Sequence, residues 1–146
     1  MSARCFVDTN ILVYAYDAVQ GEKHHRASSL MEDLWRSRTG ILSTQVLQEF
    51  AFTLRHKVRP PLSVDETLVR LQDYLRWEIV LNTGESVVSA LRIGERHHIS
   101  FWDSLIVHAA QMSHADILYT EDLNDGQVFD SVRVVNPLTI TSCLKP

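Results

Sequence analysis

Four acidic residues, Asp8, Glu49, Asp103 and Asp122, stand where an α/β protein gathers side chains for chemistry. Asp8 directly follows the short apolar run Arg4-Cys5-Phe6-Val7. Glu49 lies just over one turn into a helix that begins after Ile41-Leu42-Ser43. Asp122 follows Ile117-Leu118-Tyr119 across Thr120-Glu121, and Asp103 occupies the first turn of a helix. Ligands of open α/β sheets bind beyond the carboxyl ends of the strands, so these four positions can converge on one end of a sheet. Carboxylates brought together repel and raise one another's pKa values. Hard divalent cations remove that conflict, because Mg2+ prefers oxygen ligands and keeps several of its waters. Two such ions roughly 3.5–4 Å apart stabilise both the attacking and the leaving oxygen of a phosphodiester. The chemistry this pattern points to is metal-assisted hydrolysis without a nucleophilic side chain.

Each acid also has an ordinary explanation. Asp8 can simply cap the helix after it. Glu49 falls beside an apolar stripe, where a solvated glutamate is the default. Asp122 sits in a polar loop with Asn124, Asp125 and Gly126, which favours a turn. Asp103 is the most informative. Ser100-Phe101-Trp102-Asp103 fits a capping box with Asp in its last place. The helix it opens carries Leu105, Ile106, Val107, Ala109 and Ala110 on nearly every side. Such a helix is central, and an acid at its end is costly unless paired or on a metal.

The elements that must carry these residues alternate along the chain. Short β-prone runs are expected at 4–7, 41–43, 78–81, 117–119 and 132–135. Helices are expected over 11–18, 24–38, 45–58, a stretch capped by Ser63, 84–98 and 100–114. Ser43 or Thr44 caps the helix that carries Glu49. Ser63-Val64-Asp65-Glu66 is a capping-box pattern, with Leu68, Leu71 and Leu75 facing inward. Pro60-Pro61 and Asn136-Pro137 stop their segments. Strands alternating with helices predict an α/β fold: a mostly parallel sheet of four or five short strands with helices on both faces, in one domain spanning 1–146.

The composition, 45% apolar and 22% charged over 146 residues, is that of an ordinary globular protein. A net charge of −4 is unusual for a nucleic-acid binder. Setting four carboxylates aside for metal leaves the other side chains balanced, so a local basic rim remains compatible with a phosphate backbone. The two cysteines, Cys5 and Cys143, form no C-x-x-C pair, which argues against thiolate zinc and for free thiols in the cytoplasm. Asp8-Thr9-Asn10 interrupts the first apolar run early, which argues against a signal peptide. No run is long enough to span a membrane.

Taken in order and spacing, these segments resemble the PIN-domain family, and more narrowly the VapC-like toxins of toxin–antitoxin modules. The resemblance is carried by Phe6-Val7-Asp8-Thr9-Asn10-Ile11-Leu12, Ser43-Thr44-Gln45-Val46-Leu47-Gln48-Glu49-Phe50, Trp102-Asp103-Ser104-Leu105-Ile106, and Thr120-Glu121-Asp122-Leu123 followed by Val135-Asn136-Pro137-Leu138. In the third motif, Ser104 stands where the family usually has Ala. The match runs from about Cys5 to Leu138. It implies metal ligands at Asp8, Glu49, Asp103 and Asp122, supporting polar residues at Asn10 and Thr120, and Asp125 as an additional ligand. It further implies an Mg2+- or Mn2+-dependent endoribonuclease that cuts single-stranded RNA or RNA loops with a metal-activated water. A cognate antitoxin and a homodimer are implied as partners.

Basic residues near the motifs supply candidates for holding RNA: Arg55, His56, Lys57 and Arg59 after Glu49, and Arg92, Arg96, His97 and His98 before Asp103. A solvated face is the ordinary explanation for most of them. His24-His25 and His97-His98 lack the i, i+4 spacing of metal ligands and are expected at the surface or in packing. Trp35, Trp77, Tyr14, Tyr16 and Phe52 are assigned to the core or to subunit contacts rather than to base stacking. A D-x-D phosphatase is excluded by Asn10, and a phosphoacceptor receiver by Ala3 and Arg4. No glycine-rich phosphate loop occurs. The remaining alternative is a non-catalytic RNA- or protein-binding module on the same fold.

Overall fold

Cys5, Phe6 and Val7 are all buried, which is why this strand is an unbroken apolar run and not an alternation. It is the middle of a sheet with helices on both faces. The computed structural model describes residues 2–139, so Cys143 lies outside the described residues. The element order is β1 (Cys5–Val7), α1 (Thr9–Tyr16), α2 (Glu22–Ser37), β2 (Gly40–Ser43), α3 (Thr44–His56), α4 (Val64–Tyr74), β3 (Glu78–Val80), α5 (Gly84–His97), α6 (Phe101–Met112), β4 (Ile117–Tyr119), β5 (Val128–Phe129) and β6 (Val132–Val135).

The strands lie in the order β3-β2-β1-β4-β6-β5. All neighbouring pairs are parallel except β5 with β6. The sheet therefore has six strands, one more than the upper expectation. The additional strand is a two-residue edge piece that no hydrophobic periodicity can reveal. From β1 the chain steps outward to β2 and β3, then returns to place β4 on β1's other side. Right-handed crossovers accordingly put α1–α4 on one face and α5–α6 on the other, and the gap between β1 and β4 is the topological switch point.

Side-chain caps start the helices that matter. Asp8 accepts from the Thr9 N–H at the head of α1, Ser43 from Val46 at α3, and Ser100 from Asp103 at α6. Ser63 and Glu66 form the full reciprocal box at α4. The core joins β1, β2, β4 and β6 to Leu12, Phe50, Leu54, Ile106 and Val107.

One expectation about facing is corrected. Leu68 and Leu75 on and after α4 are 45% and 57% exposed, and Leu71 alone of the three packs on the core. On α5, the large residues Val87, Val88 and Leu91 face outward while Ser86 and Ala90 are buried. Small residues let α5 sit close to α6: a side chain at Gly94 would come within 3.0 Å of the Ser104 hydroxyl oxygen.

Gly40 is required for another reason. A Cβ there would lie 2.1 Å from the Trp77 ring, itself wedged edge-on against Trp35 and Tyr74. Gly40→Ala should therefore destabilise the protein by about 2 kcal/mol, the typical cost of overpacking, read as a lower denaturant midpoint with unchanged slope.

Candidate metal centre

Asp8 leaves the end of β1 into the switch-point crevice and is only 5% exposed. Its carboxylate is held from two directions. The Thr9 N–H donates to Oδ1 at 2.7 Å, and the Thr120 hydroxyl, from the end of β4, donates to Oδ2 at 2.8 Å. Capping and site formation, alternatives in the sequence, are one arrangement here. The fully buried Thr120 hydroxyl also accepts from the Asp122 N–H at 3.1 Å and, at 3.5 Å, from the Asn10 amide. One hydroxyl thus ties together β1, the start of α1 and the loop carrying Asp122.

Carboxylate oxygens of Asp8, Asp103 and Asp122 lie within 4.8 Å of one another. Asp103 arrives from the first turn of α6. Glu49 arrives from the second turn of α3 and lines the same cavity, whose volume is about 790 Å3. It stands outside that close triad, with both its oxygens engaged: Thr9 Oγ1 donates to Oε1 at 2.7 Å and Gln45 Nε2 to Oε2 at 3.3 Å.

Burial pushes the Asp8 carboxyl up to about 7, and the negative charges of Asp122 and Glu49 add to the rise against the two hydrogen bonds that oppose it. Burial also raises Asp103, with Asp122 and Glu49 contributing. Asp122 is raised by burial, then by Glu121 and Glu49. The neighbouring charges that raise these three groups are those of other carboxylates. Close by, Asn10 Oδ1 is buried without a hydrogen-bond donor. Oxygen donors alone, mutually repelling and partly desolvated, fit a hard divalent cation.

The other residues named from the sequence fall on either side of this cavity. Asn10 lines it, and Lys57 stands at its edge. Asp125 is not brought to the cluster: it is spent on the loop, where Oδ1 accepts from the Asn136 N–H at 2.9 Å. Arg55 donates to the Leu62 carbonyl, and Arg55, Arg92 and Arg96 do not line the cavity. Phe52, assigned to the core or to subunit contacts, is 55% exposed at the cavity wall and so lies outside the core.

Sequence reasoning passed over Thr9 and Gln45 as supports of Glu49. Gln45 sits at i−4 from that acid on the same helix face, the spacing at which side chains meet. It also passed over a clamp beside Asp122, where Tyr14 donates to Glu121 at 2.5 Å and Lys23 approaches the other oxygen at 3.2 Å. The paired histidines pack as expected: His24 meets the Tyr14 carbonyl and His97 the Phe129 ring.

Fold and site together define an α/β protein with an acid-lined crevice at its switch point. The chain belongs to the PIN domain family, whose sequence pattern matches residues 5–132. No curated protein matches it by sequence. Among solved structures, a toxin–antitoxin complex from Klebsiella pneumoniae is similar with a TM-score of 0.68 and 16% identity, covering 91% of this chain and 97% of the other. The sarcin–ricin-loop-cleaving toxin VapC20 of Mycobacterium tuberculosis follows with a TM-score of 0.64 and 22% identity, over 88% and 98% of the two chains. VapBC2 from Rickettsia felis, bound to a promoter DNA fragment, has a TM-score of 0.61 and 20% identity, over 89% and 96%. At these identities the likeness is one of fold.

The raised Asp8 carboxyl sets a sign for pH dependence. The unfolded chain releases this proton near pH 3.9, whereas the fold holds it until about 7. The associated stability is complete below the unfolded value and is lost as pH rises through the folded one. Metal-free protein should thus melt at a lower temperature at pH 8 than at pH 5, and Asp8→Asn should flatten that slope in calorimetry.

Proposed function

We propose that this chain is a metal-dependent endoribonuclease, the toxin of a toxin–antitoxin pair, hydrolysing RNA phosphodiester bonds by attack of water. The single observation that carries the reading is the triad Asp8, Asp103 and Asp122, with carboxylate oxygens within 4.8 Å of one another at the switch point. Under this reading the three acids hold Mg2+ or Mn2+, with Glu49 as the further ligand at its edge. A bound divalent cation supplies positive charge to phosphoryl oxygens and lowers the pKa of a coordinated water. The protein's own part is orientation. Thr9 and Thr120 fix both oxygens of Asp8, Thr9 and Gln45 fix Glu49, and the Thr120 hydroxyl braces the backbone at Asp122.

Family membership and the toxin–antitoxin relatives support the same reading, with a cognate antitoxin that covers the acid crevice. The outward apolar side chains of α5, Val87, Val88 and Leu91, support a second copy of the chain as a further partner. Among the described residues no helix is long and apolar enough to cross a membrane, and an RNA substrate puts the working protein in the cytoplasm.

Antitoxin-free protein is expected to cut single-stranded RNA with Mg2+ and to stop when the cation is chelated. Asp8→Ala and Asp103→Ala should reduce cleavage to background while keeping the fold, as read by circular dichroism. A folded, fully active Asp8→Ala protein rejects the assignment, and RNA binding without cleavage in the parent assigns a binding module instead. Thr120→Val, which removes a support and not a ligand, should lower activity about 10–100-fold and raise the Mg2+ concentration needed for half-maximal cleavage.

A further inference from the structure

The crevice that holds the acids is lined by two aromatic side chains that the fold leaves largely uncovered. Trp102 is 63% exposed and Phe52 55%, and both line the cavity. Each ring lies close in sequence to an acid. Trp102 immediately precedes Asp103 on α6, and Phe52 follows Glu49 by three residues on α3, one turn along the same face. The rings are also held in place. Phe101 lies edge-on to Trp102 at 5.1 Å, and His56 backs Phe52 at 4.5 Å between ring centroids. Gln45 Nε2 donates both to the Trp102 carbonyl and to Glu49, each at 3.3 Å, which joins the two helices that carry the rings.

The lining along α3 is mixed. Gln45, Gln48, Phe52, Thr53 and Lys57 share the cavity face, a stripe about 18 Å long at 1.5 Å per residue. The Lys57 ammonium lies 5.9 Å from the Phe52 ring centroid. An apolar helix from a protein partner is matched by a continuous apolar groove. A flat ring beside a cation and amides matches a polymer with flat apolar faces on a charged backbone. The two bonds that Gln45 donates fix which way its amide faces.

We propose that Trp102 and Phe52, which line the same cavity as the acid cluster, are nucleobase platforms on which unstacked bases of the RNA lie while Lys57 takes a phosphate. The proposal rests on the ribonuclease reading and assigns the side chains that hold its substrate's bases. Bases inside a duplex are already stacked and cannot use the rings, whereas those of single strands and loops can. Both side chains are exposed, so replacing them leaves the core intact.

The test uses the full chain, chelated to prevent cleavage, and a short single-stranded oligoribonucleotide carrying 2-aminopurine. The parent should bind it and quench the 2-aminopurine emission. Trp102→Leu and Phe52→Leu should each weaken binding about tenfold and lose most of the quenching, with melting temperatures unchanged, whereas Trp102→Phe, which keeps a ring, should retain most of both. A strand of the same backbone without bases should bind weakly and equally to parent and variants. Equal affinity of parent and leucine variants for the base-bearing strand, no binding by the parent, or an equal loss on the abasic strand overturns the proposal. So does a loss confined to antitoxin capture, which assigns the rings to the protein partner. Metal-dependent cleavage of RNA by the parent, assayed in parallel, keeps the two readings apart. Cleavage with unaffected leucine variants removes only the platforms, and absence of cleavage removes the ribonuclease.

Discussion

A carboxylate nearly withdrawn from water, gripped by the hydroxyl of the neighbouring strand, is the constraint around which this molecule is arranged. Asp8 sits where the chain reverses its direction of travel across the sheet, so β1 and β4 diverge just past it and leave a crevice that no helix fills. Thr120 occupies the matching place on β4, and its hydroxyl bridges the gap at 2.8 Å. The bond only partly offsets the cost of burial, and the residual cost appears as the proton Asp8 keeps until about pH 7. Two further acids delivered into the same crevice deepen the conflict. A fold that retains such a conflict stores affinity for whatever positive charge resolves it.

Positions just beyond strand ends and within first helical turns are where the acids arrive. Asp8 and Asp103 are both there: the Asp8 carboxylate itself caps α1, and the Asp103 backbone N–H donates to the Ser100 cap of α6. Glu49 comes one turn later, and its placement depends on Thr9, 40 residues away in sequence. This division explains why the Asp triad is compact whereas Glu49 is turned toward its own hydrogen bonds at the rim.

Much of this was legible in the sequence, for physical reasons. Buried parallel strands advertise themselves as short apolar runs ending in polar residues, which located Asp8, Thr120 and Asp122. Ser43, Ser63 and Ser100 each precede a helix in the way that capping demands. Periodicity does not report what covers a stripe. Leu68 and Leu75 therefore read as inward, yet both are exposed. Asp125, which the resemblance offered as an additional ligand, is taken up by the loop in a bond to the Asn136 backbone. Contacts between distant segments, such as Thr9 with Glu49 or Tyr14 with Glu121, leave no local trace. Phe52 was indistinguishable from a core aromatic because its exposure depends on the shape of a crevice made by other helices.

Crystals of the protein soaked in Mn2+ and measured at the manganese absorption edge address the central claim most directly. The account predicts an anomalous peak bonded to carboxylate oxygens of Asp8, Asp103 and Asp122, absent from Asp8→Asn crystals treated in the same way. Manganese bound elsewhere while this crevice stays empty at saturating concentration, or a lysine or arginine swung in to neutralise the three acids, would contradict it.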